Sequence, residues 1–506
     1  MTDYRFKFSI ISAVYNAENY LEDAIQSILV QDIGFQDSVE LILVDDGSPD
    51  SSGSICDFWQ KKYPDNIKVI HKENGGVSSA RNAGIAVAEG RYINFMDSDD
   101  KLSPDTLSSV YQYFITIDDR ADLVSIPIYF FEKKEQPHRL NYKFASNKNL
   151  LVDLNQKYSF VQLSAASAFF KREVLTPDFF STTLRYAEDA RAIMGLFLKN
   201  PIYGIVPQAR YDYRCRESMN SALNGSKLHK EWYLDCLQEY VLWSAQQALA
   251  LYGSVPKFVQ FHMMYDLQSR FRMEEFPEHV LTPSEKEKFM VLLKECLSYI
   301  SDPIILEQKN LSKEQKDLVI RTKYGADSGI LEYKNEDYHY RYGETTTASM
   351  SSYVVKLQQL IPQDNGLLLY GSAKTGVHFP KPEHFFVRLT AKKQAITLPC
   401  SFQQNADRVF RYHGSTLACF YDFQVLIPYD ILKRNSSLEI CMTCNSHTVK
   451  FRNLTAEPSF PVPPKAQKKT WDCHSLFFSR TREEILVESG HLLKRCITSF
   501  KSHFNK

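Results

Sequence analysis

Two aspartates flank one serine in Asp97-Ser98-Asp99, directly after the apolar run Tyr92-Ile93-Asn94-Phe95-Met96. Carboxylates so spaced can share one hard cation. Magnesium or manganese takes such oxygen ligands and completes its shell with phosphate oxygens and water. The triplet also reads as a capping cluster before the helix opened by Ser103-Pro104-Asp105. A second cluster is Val44-Asp45-Asp46-Gly47-Ser48. There Asp46 can accept a hydrogen bond from a nucleobase imide N–H, and Gly47 lets the chain turn sharply. An Asx turn into a following helix is the structural alternative. The third cluster runs from His71 to Asn82 and contains Asn74-Gly75-Gly76 and Arg81. A glycine pair before a helix leaves backbone N–H groups available, and an arginine one turn inside is a candidate contact for nucleotide or phosphate.

Alternating elements position these clusters. Phe8–Val14 is an apolar, β-rich run ending at Tyr15-Asn16, and Ala17–Val30 follows with helical spacing. Val39–Val44, Ile67–Ile70 and Tyr92–Met96 read as further strands, separated by helices over Ser51–Lys62 and Ser78–Ala88. Gly90 is expected to cap the last of these helices. Strands interleaved with helices imply right-handed crossovers and a mainly parallel sheet. Ligands bind at the carboxyl ends of such strands, where all three polar clusters fall.

A chain of 506 residues implies two or three domains. Lys+Arg and Asp+Glu number 60 each, so no basic excess points to nucleic acid. The sequence divides into an α/β domain over 1–230, a helical extension and linker over 231–345, a β-sandwich over 346–460, and a proline-rich break with a basic tail over 461–506. Residues 301–345 are polar and charged and read as a helical connector or linker. Cys441 and Cys444 read as strand-packing cysteines without the partners of a zinc site. The amino terminus lacks the apolar core of a signal peptide, and no run is long enough to span a bilayer, so a cytoplasmic location is expected. The tail from His491 to Lys506 carries Lys494, Arg495, Lys501 and Lys506 beside apolar positions near helical spacing. Such a helix can lie on an anionic membrane at the inner face of the cell membrane, or pack on the protein.

The runs ELILVDDGSPDSS, ENGGVSSARNAG and GRYINFMDSDD, in this order, resemble the family-2 inverting glycosyltransferases of the GT-A fold over roughly residues 6–220. One departure is Ala13, where that family often has proline. The resemblance implies a Rossmann-like GT-A domain that takes a UDP-sugar donor with Mn2+ or Mg2+. Tyr15 and Asn16 would lie near the base, Asp46 and Gly47 would bind a uracil-type imide, and Asn74 and Arg81 would line the nucleotide pocket. Asp97 and Ser98 would sit near the ribose or metal waters, and Asp99 would ligate the metal with Asp97. The family's later acidic pair corresponds to Glu188-Asp189, with Asp189 as general base and Glu188 as the second candidate. The segment after it, with Arg214, Arg216 and Ser218, resembles a loop that closes over the diphosphate. The layout is similar to bacterial wall-teichoic-acid and capsule glycosyltransferases, which implies a glycan or lipid-linked acceptor and leaves homo-oligomer formation open. The expected activity is inverting transfer of a hexose or N-acetylhexosamine to a cell-surface glycan. The alternatives are a same-fold transferase using another nucleotide-sugar, and a non-catalytic scaffold whose β-sandwich binds partners.

Overall fold

The computed structural model describes residues 4–216, 225–273, 279–391, 394–412, 415–431, 436–457, 476–480 and 485–489. The chain forms two compact units, one of residues 1–267 and 277–304, the other of residues 268–276 and 305–506.

The first unit is built on an eight-stranded sheet. Its strands are β1 (Phe6–Val14), β2 (Val39–Asp45), β3 (Ile67–His71), β4 (Gly90–Phe95), β6 (Leu123–Ser125), β9 (Leu150–Asp153), β10 (Ala168–Lys171) and β11 (Ile202–Ile205). They lie in the order β3-β2-β1-β4-β10-β6-β11-β9. The β1, β2, β3 and β4 strands run parallel, and β10 enters antiparallel between β4 and β6. Every residue of β2 is buried, as the unbroken apolar run demands of a central strand covered on both faces. Helices α1 (Leu21–Leu29), α3 (Ser52–Lys62) and α4 (Val77–Val87) make the crossovers; the short α2 (Phe35–Ser38) leads into β2. Phe8, Ile10, Leu41, Leu43, Tyr92 and Phe169 from the sheet meet Ile25 and Ile28 of α1 in one core.

Gly90 does not cap α4. It opens β4, where a Cβ atom would lie 2.4 Å from the Ser9 nitrogen, so the glycine permits the approach of β1 rather than a left-handed turn. A second, smaller sheet joins β5 (Lys101–Leu102), β12 (Tyr211–Cys215), β7 (Ile128–Glu132) and β8 (Gln136–Pro137) in that order. Helix α5 (Thr106–Ile117) packs on the main sheet, and α6 (Glu188–Phe197) starts beside the acidic triplet. Helices from Lys230 to Ser298 complete this unit.

The second unit corrects the reading of residues 301–345 as a helical connector or linker. After a capped helix at Lys313–Tyr324 come three antiparallel strands, β13 (Ile330–Lys334), β14 (Asp337–Tyr342) and β15 (Thr345–Ser349). Polar β-strands with one solvated face carry no long apolar signal, which is why composition alone suggested a linker. Beyond them a ten-stranded sheet forms. The 19-residue strand β19 (Gln394–Tyr412) pairs β18 (His384–Ala391) through its first half and β20 (Ser415–Pro428) through its second. The sheet therefore curls upon itself, with Phe385 stacked on Phe423 and Phe451 in its interior. Cys441 and Cys444 are buried free thiols, pushed up to about 12 by burial, as strand-packing cysteines should be. The Pro458–Pro464 break and the basic segment 491–506 lie outside the described residues.

Candidate active site

Strand ends bring the three polar clusters to one edge. The Asp46 N–H donates to Val14 O at 2.9 Å, joining the ends of β2 and β1. Asn16 takes a left-handed turn, φ 52°, and its N–H donates to Ser48 Oγ at 3.3 Å. Tyr15 is 53% exposed at the rim. Gly47 has φ 71°, and a Cβ there would stand 3.1 Å from the Asn74 nitrogen. Glycine is needed at that position for both reasons.

Asp46 is buried, yet it does not leave the glycine loop free. Its carboxylate accepts from Lys72 Nζ at 2.6 Å and from the Gly75 and Gly76 N–H groups at 3.0 and 2.7 Å. The N–H groups expected to be available are thus occupied by Asp46, which holds the loop between β3 and α4. Asn74 stays exposed on that loop. Beside it, Asp45 bonds His71 Nδ1 and Asp57 bonds His71 Nε2, each at 2.9 Å. The hydrogen bonds to Asp57 and Asp45 raise the His71 pKa.

Arg81 is the centre of the site. It is 5% exposed on α4. Its Nη1 donates to Asp189 at 2.6 Å and Glu188 at 3.3 Å, and its Nη2 donates to Asp97 at 3.0 Å. Burial would lower the guanidinium pKa, but the charges of Asp189, Asp97 and Glu188 reverse this and raise it. Residues over 100 positions apart are therefore joined by one fork. Asp189 is held a second time, because its other oxygen accepts from the Ala165 N–H at 2.8 Å. The left-handed Ala187, φ 65°, precedes α6 and turns the pair inward. Burial and the charge of Asp189 push the Glu188 carboxyl up to about 8, against the pull of Arg81. Burial also raises Asp97; Arg81 opposes the shift, and Asp99 and Asp189 add to it.

Strand β12 staples the triplet from the other side. Arg216 grips Asp99 through two nitrogens at 2.8 and 2.5 Å. Arg214 is 8% exposed, and its Nε donates to Asp99 O at 2.7 Å while its Nη2 reaches Asp23 at 2.9 Å. The buried Asp100 accepts from Tyr211 OH and the Arg214 N–H, both at 2.7 Å. Arg214 thus acts within the wall, while Arg216 is the arginine that faces the acids from a partly open position. Ser98 is buried within the turn. Ser218 lies outside the described residues. Tyr211 and Asp100 were missed as site residues; the signal for Asp100 was its place beside the triplet, but no local pattern marks Tyr211. Asn82, whose side chain bonds the Phe180 backbone at 2.8 and 3.0 Å, was missed as well.

Asp97 is paired with Arg81 and Asp99 with Arg216. Burial is the main reason the Asp97 pKa is raised, and the charge of Asp99 adds to it. Among the described residues no group of three or more His, Cys, Asp or Glu side chains could enclose a metal by itself. A two-carboxylate site completed by ligand oxygens and water is the form magnesium commonly takes.

A mainly parallel α/β domain with acidic groups gathered at the carboxyl ends of its strands defines a ligand-binding fold in which the site is assembled across several crossovers. A family profile described as "Glycosyl transferase family 2" matches residues 9–177. Among curated relatives, the minor teichoic acid biosynthesis protein GgaA of Bacillus subtilis is 35% identical over 306 residues, 60% of this chain and 68% of GgaA. GgaB of the same organism is 34% identical over 378 residues, 73% of this chain but only 41% of GgaB. The chain thus spans about two fifths of GgaB's length. The crystal structure of S. aureus TarS shares the fold at a TM-score of 0.58 and 16% identity, covering 97% of this chain and 86% of that one. The chain belongs to glycosyltransferase family 2.

Proposed function

We propose that this protein transfers a hexose or N-acetylhexosamine, with inversion, from a UDP-sugar to a bacterial cell-surface glycan of the teichoic-acid class. The observation that carries the reading is the meeting of Asp97, Glu188 and Asp189 on the single guanidinium of Arg81. The names of GgaA and GgaB supply the acceptor class.

Inverting transfer needs a carboxylate that takes the acceptor hydroxyl proton as that oxygen attacks the anomeric carbon. Asp189 is suited to this, since two separate donors fix its orientation. Glu188 is held toward its neutral form and so is the poorer base. Tyr15, Gly47 and Asn74 form the rim assigned to the nucleotide, and Asp46 beneath it holds the glycine loop. Arg216 and Arg81 carry positive charge beside the place assigned to the diphosphate. Asp99 and Asp97 would hold Mn2+ or Mg2+, which when bound supplies positive charge to the departing diphosphate. The basic segment 491–506 is proposed to rest on anionic lipid, tested by vesicle sedimentation of a chain ending at Ser489.

The test is saturable binding and turnover with UDP-glucose, UDP-galactose and their N-acetyl forms, with manganese present. One donor should bind and turn over. No turnover and no nucleotide-induced thermal shift with any donor would favour the scaffold reading.

A further inference from the structure

Behind the acidic cluster lies a buried polar group that this reaction does not use directly. Lys143, in the 3-10 turn Arg139–Phe144, is 3% exposed. Its ammonium bonds neutral oxygens, Val161 O at 2.9 Å and Gln162 Oε1 at 2.5 Å, under the rings of Phe144 and Tyr203. A cation buried against neutral acceptors is costly, and a position that only packs is better filled by an apolar side chain.

Gln162 is the hub of what Lys143 holds. Its Oε1 also accepts from Ser125 Oγ at 2.7 Å, and its N–H donates to His262 Nε2 at 3.3 Å. Its Nε2 donates to Ser164 O at 2.7 Å and Ser167 Oγ at 3.2 Å. Three residues after Gln162, Ala165 donates the N–H that holds Asp189. The stretch from Val161 to Ser167 lies outside the strands; Asn94 Nδ2 donates to Ala166 O and the Ile126 N–H to Ser167 O at its far end, while the bonds of Gln162 hold its first half, up to Ala165.

We propose that Lys143 is a positioning residue for the general base: through Gln162 it fixes the 161–167 loop so that the Ala165 N–H and Arg81 hold the two oxygens of Asp189. The proposal rests on the assignment of Asp189 as base. The groups packed around Lys143 are uncharged near neutrality. Burial and the charge of Lys143 lower His262 to about 4, burial raises Tyr203 well above its ordinary value, and burial raises Tyr142 to about 12. Burial lowers Lys143 itself to about 7, which makes its charge sensitive to mild alkali.

The experiment uses the full chain and the variants Lys143→Met and Gln162→Glu. The second keeps an acceptor for Lys143 but removes the Nε2 donors to the loop, and its ion pair favours folding. Amide exchange of the peptide spanning 161–168 should quicken by about tenfold or more in each folded variant. The kcat for transfer should fall by about tenfold or more while the Kd for the UDP-sugar stays within about twofold. The wild-type kcat should decline as pH rises through about 7, and Lys143→Met should lose that limb. Unchanged exchange, or near-normal kcat in Gln162→Glu, would overturn the proposal. If wild-type enzyme transfers no sugar, the assigned function fails, and the exchange measurement still decides whether Lys143 orders the loop.

Discussion

At the scale of single residues, Arg81 gathers three carboxylates on one guanidinium, and burial of two of them, Glu188 and Asp97, gives the site a readable pH dependence. Glu188 and Asp97 have raised pKa values in the folded protein. The stability that such a group contributes is fully present below its unfolded pKa and is lost as pH rises through its folded value. For Glu188 the window runs from the ordinary carboxylate value of 4.5 to about 8. Glu188→Gln should therefore gain stability relative to wild type as pH rises across that window, read by urea unfolding at several pH values. A difference that does not change with pH would contradict the raised pKa. Asp189→Ala should leave UDP-sugar binding intact and cut turnover by at least about a hundredfold; near-normal turnover would place the base elsewhere. Asp99→Asn should remove the divalent-ion dependence of donor affinity, and normal manganese-dependent UDP binding in that variant would contradict its assignment. The acids themselves were legible in the sequence because their spacing follows a known family. Their partners were not. Arg81 was read as a nucleotide contact, yet in the folded chain it first neutralises three acids drawn from distant segments.

At the scale of elements, the site depends on close approach. Helix α4 carries Arg81 against β1, and a Cβ at Gly84 would lie 2.4 Å from Ile11 Cγ2. Gly84→Ala must push helix and strand apart, costing about 1–3 kcal/mol by overpacking. Thermal unfolding should show the loss, and turnover should fall with it because Arg81 shifts. The staple from β12 makes a second prediction. Tyr211→Phe removes the hydroxyl that donates to Asp100 and accepts from the Asp97 N–H at 3.2 Å. Leaving those buried groups unsatisfied should cost about 1–3 kcal/mol, and a variant as stable as wild type would refute the staple. The four parallel strands and their crossovers were legible to within a few residues, because apolar runs and turn residues alternate strictly there. Strands β10 and β12 were harder to see. Short strands inserted antiparallel depend on partners far away in sequence, and no local period marks them.

At the scale of the whole molecule, every described residue of the candidate site lies in the first unit. A chain ending at Ile304 should therefore retain a UDP-dependent thermal shift, and loss of that shift would show that the second unit is required for donor binding. No helix among the described residues is long and apolar enough to cross a membrane. The sequence by itself determined the family, the α/β order of the first half, the β-rich texture after Tyr353, and the identities of the acids. These depend on local apolar periodicity and on residues at fixed spacing, which are properties of short segments. Tertiary structure alone decided that Asp46 closes the glycine loop, that Arg81 joins Asp97 to Glu188 and Asp189, and that Arg214 belongs to the wall. It also decided that a buried lysine stands behind Ala165. Each of these is a contact between segments 16 to more than 100 residues apart, and such contacts exist only once the sheet has set its strand order and brought the loop ends together.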